Sequence, residues 1–100
     1  MPRADPAGDI GDEEFRALLT RPGLRIERIV SHGHVSADWY DQDRDEWVLL
    51  VEGGARLSLE GEGEIVLGPG DHLLIPAHVR HRVTWTDPAR RTIWLAIHFD

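Results

Sequence analysis

Short apolar segments separated by glycine-rich turns are the feature that most constrains the fold of this 100-residue chain. The segments are WVLLV, ARLSLE, EIVL, DHLLI, HRVTW and TIWLAIHF, and they follow one another between residues 47 and 99. The turn signals between them are Gly53-Gly54, Glu60-Gly61-Glu62-Gly63 and Gly68-Pro69-Gly70-Asp71. Strands that recur with turns about every eight to twelve residues are typical of an antiparallel sandwich or barrel. The pattern therefore predicts an all-β fold that spans residues 24–99.

The chain before residue 24 has a different character. Residues 1–11 are rich in proline and glycine, which predicts a flexible tail. Asp12 can cap a short helix over residues 12–20, with Phe15, Leu18 and Leu19 on one face. Pro22-Gly23 would end that helix. We therefore expect one short N-terminal helix outside the barrel.

Composition excludes several classes of protein. A net charge of −7 argues against nucleic-acid binding, which needs a basic surface. No apolar run approaches the ~20 residues of a membrane span. The N-terminus lacks the apolar core of a signal peptide, and the chain has no cysteine. We therefore expect a cytoplasmic protein with no nucleic-acid and no membrane partner.

Strand alternation points to residues inside the barrel. His81, Val83 and Trp85 share one face of a strand, so we expect His81 to point inward and Trp85 to line a pocket. Glu46 shares parity with Val48 and Leu50, but both faces of that strand are apolar and its phase stays open. A buried carboxylate needs a metal ion, an arginine or a hydrogen-bonded ligand as its partner.

The spacing of these residues resembles the two motifs of the cupin family. The matching residues are Glu46 and Gly53 in the first motif and Gly70, Asp71, Pro76 and His81 in the second. The resemblance covers roughly residues 24–99 and is greatest to small, single-domain bacterial cupins of the cupin 2 conserved barrel type. It implies a jelly-roll barrel, or double-stranded β-helix, of two packed antiparallel sheets that is commonly dimeric.

The first motif departs from the family pattern. Typical cupins carry His-x-His a few residues before the glutamate, whereas Tyr40, Gln42 and their neighbours include no histidine. Of the family's metal ligands, only Glu46 and His81 carry over directly, with the Gln42 amide oxygen as a third candidate and Tyr40 beside them. The resemblance implies a divalent metal (Zn, Fe, Mn or Ni). The missing His-x-His predicts that the metal site is weak or absent.

Three further histidines are candidate ligands, and each has a structural alternative. His34 belongs to His-Gly-His, which is typical of a loop. His78 lies in the turn before His81, where the cupin motif has a glycine. His98 lies on the last strand, whose two faces are both apolar. Which of the three enters the barrel stays open at this point.

Two classes of function remain. The first is a metal-dependent enzyme that acts on a small molecule inside the barrel, and the retained Glu46 and His81 favour it. The second is a metal-free barrel that binds or senses a small ligand without turnover, and the missing His-x-His favours it. We also expect a homodimer, because a 100-residue barrel with four tryptophans and two-faced apolar strands leaves apolar surface to cover.

Overall fold

The structure is a computed structural model that describes residues 13–100. These residues form eight strands: β1 (Glu14–Arg21), β2 (Leu24–Ser31), β3 (Asp45–Glu52), β4 (Ala55–Leu59), β5 (Gly63–Leu67), β6 (His72–Ile75), β7 (His81–Thr86) and β8 (Thr92–Phe99). The described part of the chain contains no helix. The expected all-β fold is confirmed.

The strands form two antiparallel sheets. The larger sheet has the order β1-β2-β8-β3-β6, and the smaller has the order β5-β4-β7. An irregular edge segment, residues 36–42, runs beside β7. Its Ser36 and Tyr40 N–H groups donate to the carbonyls of Val83 and His81, at 2.9 and 2.8 Å. This pairing holds the edge segment against the smaller sheet, next to His81.

The interior is apolar over most of its length. Its core residues are Ile29, Val48, Leu50, Ala55, Leu57, Leu59, Leu67, Ile75, Val83, Trp94 and Ala96. Alternation along β3 and β8 brings every second side chain inward, so buried and half-buried positions alternate over Glu46–Leu50 and along all of β8. The same alternation carries Glu46 and His98 into one end of the interior.

The predicted helix over residues 12–20 is wrong. Residues 14–21 form β1, which pairs with β2 through a hairpin in which Arg21 faces Leu24. Gly23 has φ 73°, so the Pro22-Gly23 pair makes a tight turn between two strands rather than ending a helix. Pairing with β2 over its whole length outweighs the weak helical pattern. The expected tail, residues 1–11, and the cap Asp12 lie outside the described residues.

The inward position expected for Trp85 is also wrong. Arg56 pairs with Trp85 and Leu57 pairs with Val83, so two residues of β4 lie against three residues of β7 at a register shift. Beyond this shift Thr86 faces the interior, and Trp85 does not. Trp85 is 38% exposed, and the Arg56 guanidinium lies over its ring at 5.4 Å. A bulge of this kind reverses the side-chain alternation beyond it.

Candidate functional site

Register in the larger sheet brings a row of polar side chains together. Arg25 on β2 and Glu46 on β3 are both cross-strand partners of His98 on β8. Directly opposed residues of neighbouring strands project from the same face of a sheet. Arg25, His98 and Glu46 therefore lie side by side on the inner face, at the end of the barrel where β3 begins and β8 ends.

His81 meets Glu46 from the opposite sheet. Both side chains are fully buried, and His81 Nε2 lies 3.8 Å from Glu46 Oε1. The other ring nitrogen, Nδ1, lies 3.1 Å from the Val79 carbonyl, which can only accept, so Nδ1 carries the proton. Burial lowers the pKa of His81 below its usual 6.5, although the Val79 carbonyl opposes this shift. The neutral imidazole therefore presents the lone pair of Nε2 toward Glu46.

Gln42 connects these two groups. Its Nε2 donates to Glu46 Oε1 at 2.7 Å and lies 3.5 Å from His81 Nε2. The backbone carbonyl of Gln42 accepts the His78 N–H at 2.7 Å, which anchors the edge segment at this point. The amide group thus donates to one oxygen of the carboxylate and faces the imidazole lone pair at the same time.

A second carboxylate–imidazole pair lies beside the first. Glu27 is 2% exposed, and its carboxylate lies 3.9 Å from His98 Nε2 and 3.5 Å from Arg25 Nη2. The sequence did not single out Glu27 or Arg25. RIERIVS has apolar residues on both of its faces, so its alternation alone cannot assign Glu27 to the interior. The one indication in the sequence is that Glu27 lies two residues before Ile29, so both side chains project from the same face of the strand.

The second imidazole is also kept neutral. The pKa of His98 falls to about 4, first because the ring is buried and also because the Arg25 and Arg44 guanidinium groups disfavour a further positive charge. Desolvation and nearby like charge both destabilise an imidazolium. At neutral pH the two imidazoles of the site are therefore uncharged and lie beside two carboxyl groups.

Two buried donors lie on the inner face of the larger sheet, Arg25 in the same row as His98 and Trp94 four residues before His98 on β8. Within residues 13–100, Arg25 Nε and the indole Nε1 of Trp94 have no hydrogen-bond acceptor. Trp94 projects from the same face of β8 as His98, with the small Ala96 between them. Because an unsatisfied buried N–H costs free energy, such donors are candidate contacts for a ligand or a bound water.

The other residues predicted for the site lie at different distances from Glu46 and His81. Tyr40 packs near His81, with ring centroids 6.2 Å apart. His78 is exposed and pairs with Asp41 at 2.9 Å. His34 is buried, but its carbonyl accepts from Thr86, at the other end of β7 from His81. Of the three uncertain histidines, the structure brings only His98 to Glu46 and His81.

Comparison with known proteins identifies the family. The family model described as "Cupin domain" matches residues 26–98. The chain belongs to the cupin family. No protein of curated function matches this cupin. No helix among the described residues has the length and apolar character needed to cross a membrane.

Solved structures resemble this cupin over 85% to 99% of its length. A protein from Ralstonia eutropha JMP134, named provisionally as a mannose-6-phosphate isomerase, is 50% identical, with a TM-score of 0.88 and coverage of 97% of this chain and 93% of that one. A cupin superfamily protein from Desulfitobacterium hafniense DCB-2 is 21% identical, with a TM-score of 0.75 and coverage of 99% and 82%. The iron(II) enzyme HppE, solved with its substrate, is 16% identical, with a TM-score of 0.73 and coverage of 85% and 52%. The last two likenesses show the shared fold alone.

Cupins commonly bind divalent metals, but the side chains around Glu46 and His81 differ from the ligand set that such an ion needs. The described residues contain no group of three or more histidine, cysteine, aspartate or glutamate side chains arranged to hold an ion. Glu46 and His81 supply two ligands, and the group beside both is an amide nitrogen, which is a donor and not a metal ligand. In this arrangement the residues do not fit the usual cupin metal.

Proposed function

We propose that this cupin binds a small polar molecule at the polar end of its barrel. The observation that carries the proposal is the burial of two carboxylates and two imidazoles together, at one end of a largely apolar interior. These side chains are Glu27, Glu46, His81 and His98. Burying ionisable groups opposes folding unless they are compensated, and clusters of perturbed groups mark functional sites. The edge segment that carries Tyr40 and Gln42 lines the same end.

The lining favours a ligand with many hydroxyl groups. Glu27 and Glu46 can accept hydrogen bonds, whereas Arg25 Nε beside Glu27 is a donor without an acceptor among the described residues. A polyol supplies both donors and acceptors from each hydroxyl. A sugar or sugar phosphate is therefore the favoured class. The provisional name of the 50%-identical Ralstonia protein, a mannose-6-phosphate isomerase, supports the same class.

Ligand-detected NMR tests this proposal. Saturation-transfer spectra are recorded with mannose 6-phosphate, mannose and inorganic phosphate, one at a time. We expect saturation transfer from the protein to the sugar protons. This transfer should weaken in Glu27→Gln and His98→Gln, because both side chains belong to the polar cluster formed by Glu27, Glu46, His81 and His98. Val66→Thr is the control, since Val66 is 67% exposed on β5. Equal transfer in all variants, or none to either sugar at millimolar concentration, would contradict the proposal.

A second candidate function is the isomerisation of an aldose to a ketose. Glu46 Oε1 and His81 Nε2 lie 3.8 Å apart. One of them would remove the proton from C2 of a bound open-chain aldose and return it to C1, while the other moves a proton from the C2 hydroxyl to the C1 oxygen. The name of the Ralstonia relative favours this candidate over other proton transfers. A pure binding or sensing protein would hold the same ligand without turnover.

Solvent exchange separates the two candidates. Mannose 6-phosphate is incubated in deuterated water with the protein, once after chelation and once with each of Zn, Fe, Mn and Ni. An isomerase incorporates deuterium and forms fructose 6-phosphate, and Glu46→Gln or His81→Asn abolishes both. Binding without exchange under every condition favours the binding protein. Exchange that needs an added ion favours the metal-dependent enzyme.

A further inference from the structure

The positions of Glu46 and His81 are close to those of two ligands that share an ion. When two ligand atoms are each about 2.1 Å from a tetrahedral ion, the two atoms are about 3.4 Å from each other. Glu46 Oε1 and His81 Nε2 are 3.8 Å apart, and both are buried. The spacing of this pair therefore does not itself prevent metal binding.

The Gln42 amide takes up the same two lone pairs. Its nitrogen lies 2.7 Å from the carboxylate oxygen and 3.5 Å from the imidazole nitrogen. His81 Nδ1 holds its proton toward the Val79 carbonyl, so Nε2 can accept an N–H from the amide. An NH₂ group presents two partly positive hydrogens, which are attracted to the atoms that a cation would bind.

The residues around Glu46 and His81 contribute little to a metal site. His98 is the cross-strand partner of Glu46, but its Nε2 is 3.9 Å from Glu27. Tyr40 is held by reciprocal backbone hydrogen bonds with His81, at 2.8 and 3.0 Å. These bonds fix the edge segment in a position where Gln42 is the side chain that contacts Glu46 and His81.

We propose that the Gln42 carboxamide replaces the metal ion in this cupin, so that the Glu46–His81 pair is assembled by hydrogen bonds and the barrel is ready to bind its ligand without an ion. Gln42 is then the residue that decides between a metal-free and a metal-binding barrel. This inference does not depend on which small molecule the barrel binds.

Cobalt binding to untagged, chelator-treated protein tests the inference. Gln42→His places a third ligand beside Glu46 and His81. We expect this variant to bind Co²⁺ roughly 100-fold more tightly than the wild type, with the visible absorption band of a protein-ligated ion. The gain should disappear in the double variant Gln42→His/His81→Ala. In the wild type, His81→Ala should leave the weak cobalt binding of the exposed histidines unchanged.

A near-isosteric change provides a second measurement if Gln42→His does not fold. Gln42→Glu replaces the donor by a carboxylate beside Glu46, so the variant should melt at a lower temperature and regain stability when Zn²⁺ or Mn²⁺ is added. Gln42→Ala lacks a ligand at this position and should show no such gain. Tight wild-type cobalt binding that is lost in His81→Ala would overturn the inference. So would a metal response that is the same in Gln42→Glu and Gln42→Ala.

Discussion

His78 is a non-glycine residue in a left-handed backbone conformation. It occupies the position where the second cupin motif has a glycine, and its φ is 65°. This left-handed conformation is unfavourable for a residue with a Cβ. Its side chain is exposed and pairs with Asp41, a contact between solvated groups that contributes little. A glycine at this position would therefore relieve the backbone strain and lose little side-chain interaction.

Substitution of His78 should reflect that geometry. We expect His78→Gly to be at least as stable as the wild type and His78→Ala to be less stable than His78→Gly by about 1 kcal/mol, since only glycine adopts a positive φ without steric cost. Urea unfolding of the three proteins measures the difference. An alanine variant as stable as the glycine variant would show that the conformation is not strained.

His98 makes stability depend on pH. Its pKa is about 4 in the folded protein, against about 6.5 for an exposed histidine. Between these values the unfolded chain binds a proton that the folded chain does not, so the free energy of unfolding falls as pH drops from about 6.5 to 4. The full contribution is present above pH 6.5, and the loss amounts to at most about 3 kcal/mol. His81, whose pKa is also lowered, acts in the same direction.

Chemical denaturation at several pH values measures this effect. We expect the wild type to lose stability between pH 7 and 5, and His98→Gln to lose less over the same interval. His32→Gln is the matched control, because the His32 side chain is 47% exposed and lies outside the polar cluster. A slope that His98→Gln leaves unchanged would show that His98 is not the group responsible.

At the scale of secondary structure, the turn between β3 and β4 depends on one glycine. Gly53 has φ 93°, and a Cβ built on it would lie 2.5 Å from Thr92 Oγ1 and 2.7 Å from the Arg91 carbonyl. Gly61, in the turn between β4 and β5, has a similar φ of 87° but no atom within 4 Å of that position. The two glycines therefore share a backbone requirement but differ in the space around them.

Alanine at each glycine separates these two effects. Gly61→Ala should cost about 1 kcal/mol from backbone strain alone. Gly53→Ala should cost about 2 kcal/mol more, because the neighbouring start of β8 must also move. Thermal or urea unfolding gives both values. Equal losses in the two variants would mean that β8 adjusts freely and that the close contact has no energetic weight.

At the scale of the whole molecule, the larger sheet has an apolar outer face. Its half-buried residues on β3 and β8 are Trp47, Leu49, Ile93, Leu95, Ile97 and Phe99. Val51 and Leu74, which border them on β3 and β6, are 51% and 48% exposed. A continuous apolar patch of this kind on a small domain marks an interaction surface.

We expect two copies of the chain to associate through this face. Leu74→Glu and Val51→Glu place a charge on it and should shift the protein from dimer to monomer in sedimentation at micromolar concentration. Val66→Glu is the control, because Val66 is exposed on the smaller sheet. A monomeric wild type, or a dimer that resists both substitutions, would contradict this assignment.

The sequence by itself determined the features that depend on neighbours along the chain. Alternation with Val83 placed His81 inward, and the structure buries it. The spacing of Glu46 from Gly53 and of His81 from Pro76 indicated the family, which the match to residues 26–98 confirms. Strand periodicity and the φ requirements of turns are local properties, so they can be read from a single chain.

Only the tertiary structure decided the features that depend on pairing between distant strands. Residues 14–21 became a strand because β2 was available beside them. The bulge between β4 and β7 turned Trp85 outward. Register between β2, β8 and β3 brought Glu27 and His98 to Glu46. Register and bulges follow from how well whole faces pack together, and a shift of one residue exchanges the two faces of a strand.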